Sequence, residues 1–166
     1  MGIEQSADGS TDETIGFLLV QLGFHAARLF KERLAPLGIE PRHVGLLRSV
    51  AAHEGRSQQV IGESLRIPKS RMVWLIDDLE QRGLVERRRS SADRRINGLY
   101  LTPSGRRLLE DVLAVSAEHE AQLSAALQSE EYRRLATLLR RLADAQGIAP
   151  NALPAGAPPA SPRLRG

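Results

Sequence analysis

The first clear signal along the chain is a helical one. Ile15, Leu18, Leu19, Leu22, Ala26, Leu29 and Phe30 recur at steps of three and four. That period puts one apolar stripe on a helix of about twenty residues. Pro36 and Gly38 stop it. Pro41 suits the first position of a second helix, in which Val44, Leu47, Val50 and Ala51 face inward and which Gly55 closes. Ser57 is a good N-cap for a short helix carrying Val60, Ile61 and Leu65. Pro68 opens a fourth, with Met72, Val73, Ile76 and Leu79 on its inner side and Gly83 as its C-terminal stop.

The period then changes. Residues 84–88 and 96–101 read as two short strands joined by a polar turn, Ser90-Ser91-Ala92-Asp93. Thr102-Pro103 is an N-cap followed by proline at the first helical position, so helix returns at once. Leu108, Leu109, Val112, Val115, Leu123 and Leu127 sustain it to about residue 128. Ser129 caps a last helix, with Glu130 and Glu131 favourable against its dipole and a stripe of Leu135, Leu138, Leu139 and Leu142.

This order predicts a mainly α fold with a small β-hairpin. Residues 41–101 form a helix-turn-helix followed by a hairpin, which is a winged helix-turn-helix lobe. Residues 12–35 and 102–146 are outer helices whose stripes nothing else in so short a chain can cover. Burial against a second copy is the natural solution, so they are expected to be dimerisation helices of a homodimer. The single domain then spans 12–146. Residues 1–11 are read as a disordered N-terminus and 147–166 as a flexible Pro/Ala-rich tail, because neither has the apolar bulk to offset its ordering entropy.

Composition removes several classes of function. There is no cysteine, which excludes disulfides, thiolate metal sites and cysteine nucleophiles together. The histidines at 25, 43, 53 and 119 show no helical pairing, so no metal and no cofactor is expected. No Gly-rich phosphate loop, G-x-S-x-G or H-E-x-x-H motif is present, and an enzyme is not expected. The N-terminus has no apolar signal core, and the most apolar stretch, residues 15–24, falls well short of the roughly twenty residues of a membrane span. A soluble, cytoplasmic protein with no membrane partner is the reading.

The net charge is only +3, so any polyanionic partner must be argued from where the charge sits. Between Arg82 and Arg107 eight arginines face only Glu86 and Asp93, a local net charge of +6, and the remainder of the chain is net negative. That is an electrostatic footprint for nucleic acid. In a helix-turn-helix the second helix enters the major groove by its N-terminal residues. Here those are Lys69, Ser70 and Arg71, with Trp74 one turn after Ser70. Asp77 and Asp78 weigh against contacts farther along. In the hairpin Arg88, Arg89, Arg94 and Arg95 supply the charge, Asp93 braces the turn, and either Arg94 or Arg95 is aimed at the minor groove. The competing reading is a winged helix used as a protein-interaction module without specific DNA binding. Such a module has no need of the arginine block.

Asp93-Arg94-Arg95, then Leu99, Leu101-Thr102-Pro103 and Gly105, resemble the D-R-R-x-x-x-(V/L)-x-L-T-x-x-G signature of the MarR-type transcriptional regulators. Residues 75–80, Leu-Ile-Asp-Asp-Leu-Glu, followed by Arg82-Gly83-Leu84-Val85, resemble the end of that family's recognition helix and the strand after it. The resemblance covers roughly residues 12–145, each element in the family's order. It implies a homodimer that binds double-stranded DNA at a pseudo-palindromic operator, usually as a repressor released by a small, often aromatic or anionic ligand. By position it puts Lys69, Ser70 and Arg71 in the major groove and Arg94 or Arg95 in the minor groove. Two positions depart from the pattern. Asp78 stands where a basic residue is common and Trp74 where a smaller or basic one is, which leaves base preference there open. The family's ligand pocket lies where the dimerisation helices meet the DNA-binding lobe, which makes Phe24, His25, Arg28 and His43 the ligand candidates. Without cysteine, the thiol-oxidation switch of some relatives has no counterpart.

Overall fold

The computed structural model describes residues 14–89 and 97–148. In chain order these form α1 (Ile15–Leu34), a 3-10 turn (Ala35–Leu37), α2 (Pro41–Ala52), α3 (Gln58–Ser64), α4 (Lys69–Gln81), β1 (Val85–Arg89), β2 (Asn97–Leu101), α5 (Pro103–Leu123) and α6 (Ser129–Ala145). The architecture is a winged helix-turn-helix flanked by long outer helices, as the pattern predicts. The two termini, the Ser90–Asp93 turn, Arg94 and Arg95 lie outside the described residues.

Local chemistry explains most boundaries. Thr14 Oγ1 accepts the N–H of Phe17 and starts α1. Gly38 and Gly83 adopt left-handed conformations (φ 67° and 66°) just past the 3-10 turn and α4, where any other residue is strained. Thr102 accepts the Gly105 N–H at 3.0 Å, the cap expected before Pro103. Arg66 takes the left-handed position (φ 54°) after α3 without being glycine, and its Nη1 donates to the Gly147 carbonyl at 3.1 Å. That bond ties the helix-turn-helix corner to the end of α6.

Four helix boundaries differ from the sequence reading, and β1 is shifted by one residue from the expected 84–88. Pro68 is the N-cap of α4 rather than its first residue. Helix α5 stops at Leu123, where the Ser124 hydroxyl donates back to the Glu120 carbonyl and the Leu127 N–H turns to Ser124. Helix α6 is capped from Gln128, whose N–H donates to Glu131 at 2.8 Å, so Ser129 is already helical. Gly55 does not close α2: His53 is the C-cap. The Gly55 N–H instead donates to the Leu99 carbonyl, and the Leu99 N–H donates to Arg56, both at 2.9 Å. The chain before α3 thereby adds a third edge to the hairpin.

The hairpin is antiparallel with Val85 opposite Leu101 and Arg87 opposite Leu99. Leu99, Leu101 and Val85 point into the main core with Leu46, Leu47 and Val50 of α2, Ile61 of α3 and Met72, Leu75, Ile76 and Leu79 of α4. Leu75 thus replaces Val73, which is only half-buried, in the inner stripe of α4. A second cluster, Leu34, Ile39, Val44 and Val112 with Phe30, Leu37 and Val115 against it, joins α1 and α5 to the lobe. Phe30 stacks on His119 at 5.1 Å, and Arg33 donates to Glu118 and Gln122 of α5. Beyond that junction, the stripe of α1 and the leucines of α6 stay open to solvent. No helix among the described residues is long and apolar enough to cross a membrane.

Candidate nucleic-acid interface

Helix α4 buries one face and leaves the other open. Lys69 and Ser70 are exposed at its first turn, Arg71 is half-buried, and Trp74 is 46% exposed. The four residues singled out from the sequence therefore lie on the accessible N-terminal part of the helix. One partner was not visible in the sequence: the Arg42 guanidinium, from the first turn of α2, lies over the Trp74 ring at 5.0 Å. Arg42 also donates to Glu40 Oε1 at 2.9 Å. A cation–π pair across 32 positions leaves no local pattern to read.

The carboxylates of α4 are engaged inside the lobe. Asp77 Oδ1 accepts from Arg87 Nη2 at 2.5 Å, and Glu80 accepts both the backbone N–H and the guanidinium of Arg87. Arg87 also donates to Gln58 of α3 at 3.2 Å. One arginine thus clamps the root of the wing to both helices of the helix-turn-helix. Asp78 lies 3.3 Å from His43 Nε2 and 3.7 Å from Arg82 Nη1, while Arg82 Nη2 donates to the Gly38 carbonyl at 2.6 Å. These acids hold α4 to its neighbours, a role the charge argument did not give them.

The basic block is correspondingly less available than its count suggests. Arg82 and Arg87 pair as described, Arg106 donates to Glu54 at 2.7 Å, and Arg107 donates to the Ser104 hydroxyl. Arg88 pairs with Glu86 and lies 5.1 Å from the Tyr100 ring, yet over half of its side chain is exposed. Arg89 is exposed at the end of β1. Asp93, Arg94 and Arg95, the expected tip, lie outside the described residues.

The ligand candidates divide into three exposed residues on α1 and one buried residue on α2. Phe24 is 76% exposed and His25 is exposed on α1, and Arg28 pairs with Glu32 one turn on at 2.8 Å. His43 instead is 3% exposed. Its Nδ1 accepts the Glu40 N–H at 3.0 Å, which puts the ring proton on Nε2, facing Asp78. Burial holds its pKa below the ordinary imidazole value despite the opposing Asp78 charge. His43 is a buried junction residue between α2 and α4, not part of an open surface.

Known proteins share this fold. Residues 37–96 match the family model described as MarR family. A protein of Thauera aromatica assigned to transcriptional regulation of the hcr operon is 30% identical over 135 residues, covering 76% of this chain and 81% of that one. The transcriptional repressor CouR, solved bound to a 23-mer DNA duplex, superposes with a TM-score of 0.73 at 32% identity, covering 81% of this chain and 96% of that one. CouR from Rhodococcus jostii RHA1 bound to p-coumaroyl-CoA superposes with a TM-score of 0.68 at 28% identity, covering 80% and 93%. With the winged helix-turn-helix fold already in place, these likenesses identify the chain as a member of the MarR family, a transcriptional regulator and not an enzyme.

Proposed function

We propose that the protein is a homodimeric, cytoplasmic repressor that binds a pseudo-palindromic operator and is released by a small aromatic or anionic ligand. The observation that carries the DNA reading is the open first turn of α4, with Lys69, Ser70 and Arg71 beside a wing whose root Arg87 clamps to the same helix. In this reading Lys69, Ser70, Arg71 and Trp74 enter the major groove. Arg88 and Arg89 follow the backbone, and Asp93 braces a turn from which Arg94 or Arg95 enters the minor groove. Residues 41–101 are the DNA-binding lobe, and residues 12–35 and 102–146 make the dimer.

Dimerisation is supported by the apolar residues that α1 and α6 leave uncovered, Leu22 and Leu142 among them. Ligand release is supported by CouR, a relative solved with an aromatic CoA thioester. Phe24, His25 and Arg28 are the surface candidates for the ligand. His43, also a candidate from its position, is buried between α2 and α4.

The test is fluorescence anisotropy of the full chain on a duplex selected from a random pool. Neutralising six to ten phosphates makes affinity fall roughly 10³- to 10⁵-fold between 50 and 200 mM salt. An aromatic acid or its thioester should then displace the duplex. Salt-independent binding would overturn the DNA reading.

A further inference from the structure

Helix α4 turns its large apolar side chains inward with one exception. Met72, Leu75, Ile76 and Leu79 are at most 2% exposed, whereas Trp74 is 46% exposed. Trp74 lies one turn after Ser70, on the side of the helix away from that stripe. An indole left open there is not free to lie anywhere, because Arg42 covers one of its faces. Arg42 is itself confined: only 18% of its side chain is exposed, Nη2 donates to Glu40, and Nε is buried with no hydrogen-bond partner. The stack joins the first turn of α2 to the second turn of α4 and holds the ring in one orientation.

Apart from its single Nε1–H donor the indole presents only ring carbons, and a ring fixed at that place has few apolar groups to meet in a major groove. The base edges there present donors and acceptors, and the one apolar group among them is the C5 methyl of thymine. A phosphate role for Arg42 fits less well, since its fork already engages Glu40 and its plane lies on the indole. Resting on the reading of α4 as the helix that enters the groove, we propose that Trp74 reads a thymine methyl in each operator half-site. Arg42 is the positioning residue that fixes the indole for that contact.

The experiment replaces each thymine of a pool-selected duplex by deoxyuridine in turn, which removes only the methyl. Wild-type protein should lose about three- to tenfold in affinity at one thymine per half-site, the effect of one buried methyl group or somewhat more. Trp74→Ala should bind more weakly and no longer distinguish thymine from deoxyuridine at that position. Arg42→Ala should lose most of the distinction while keeping the wild-type slope of affinity against salt. Arg42→Lys, which keeps a cation over the ring, should restore part of the distinction. Circular dichroism and size-exclusion chromatography check each variant. If Arg42→Ala does not fold, Trp74→Ala and Arg42→Lys still decide the question. The proposal is overturned if no deoxyuridine substitution weakens wild-type binding, or if Trp74→Ala keeps the full penalty. It is overturned for Arg42 if Arg42→Ala keeps the penalty, and a salt slope lowered by about one would then mark a lost phosphate contact instead. A pool from which no duplex is selected would overturn the DNA-binding reading itself, and this inference with it.

Discussion

At the residue scale, the His43 ring accepts the Glu40 N–H at Nδ1, so a second ring proton must displace that donor. Burial is the largest influence and lowers the pKa. Asp78 and Glu40 oppose it by raising the pKa, and Arg42 and Arg82 add to the lowering. The folded state therefore holds this proton less tightly than the unfolded state. The resulting stability is present above the ordinary imidazole value of about 6.5 and is lost as pH falls from there through the depressed folded value. Between pH 7.5 and 5.5 the melting temperature of the wild type should fall more steeply than that of His43→Gln; parallel curves would contradict the assignment. Gly105 gives a second expectation. A Cβ there would overlap the Leu84 carbonyl oxygen, which accepts the Thr102 N–H. Gly105→Ala should cost about 1–3 kcal/mol in denaturant unfolding. The Thr102 cap was legible from its residue type and the proline after it. The Leu84 approach was not, because it depends on how β1 passes the start of α5.

Arg87 sets the argument at the scale of elements. It joins β1 to Asp77 and Glu80 of α4 and to Gln58 of α3, and it is only 23% exposed. Arg87→Ala should destabilise the lobe by about 1 kcal/mol, more than an isolated surface pair, because several partners lose one donor. Arg87→Lys should recover little, since a single ammonium cannot reproduce the fork. Urea unfolding distinguishes these outcomes. The helices and hairpin themselves were readable because apolar spacing switches from the helical period to alternation at Leu84. The partners of the arginines were not. Charge counted along the hairpin put Arg87 and Arg88 together as one basic surface, while packing against α4 makes one a clamp and leaves the other largely exposed.

Across the whole molecule, α6 leaves Leu135, Leu138, Leu139 and Leu142 39% to 45% exposed, and α1 leaves Ile15 and Leu22 more open still. Faces this apolar on two long helices are those a second copy would bury. On the proposed dimer, Leu135→Glu with Leu139→Glu should give a monomer or an unfolded chain in light scattering at micromolar concentration, where the wild type gives a dimer. A stable dimer from that double variant would exclude α6 from the interface. The lobe hangs from this framework through the cluster of Leu34, Ile39, Val44 and Val112 and through the Arg66 bond to Gly147. Both link the outer helices to the helix-turn-helix lobe.

What the sequence by itself determined is what local physics governs: the period of each segment, the caps at Ser57 and Thr102, the stops at Gly38 and Gly83, and the density of arginine after Arg82. Tertiary structure decided everything that depends on who meets whom across the chain. It turned Asp77 and Glu80 toward the wing, buried His43 against Asp78, and laid Arg42 on Trp74. A side chain's type and spacing fix which face it takes on its own helix, but its partner is set by how helices far apart in sequence cross.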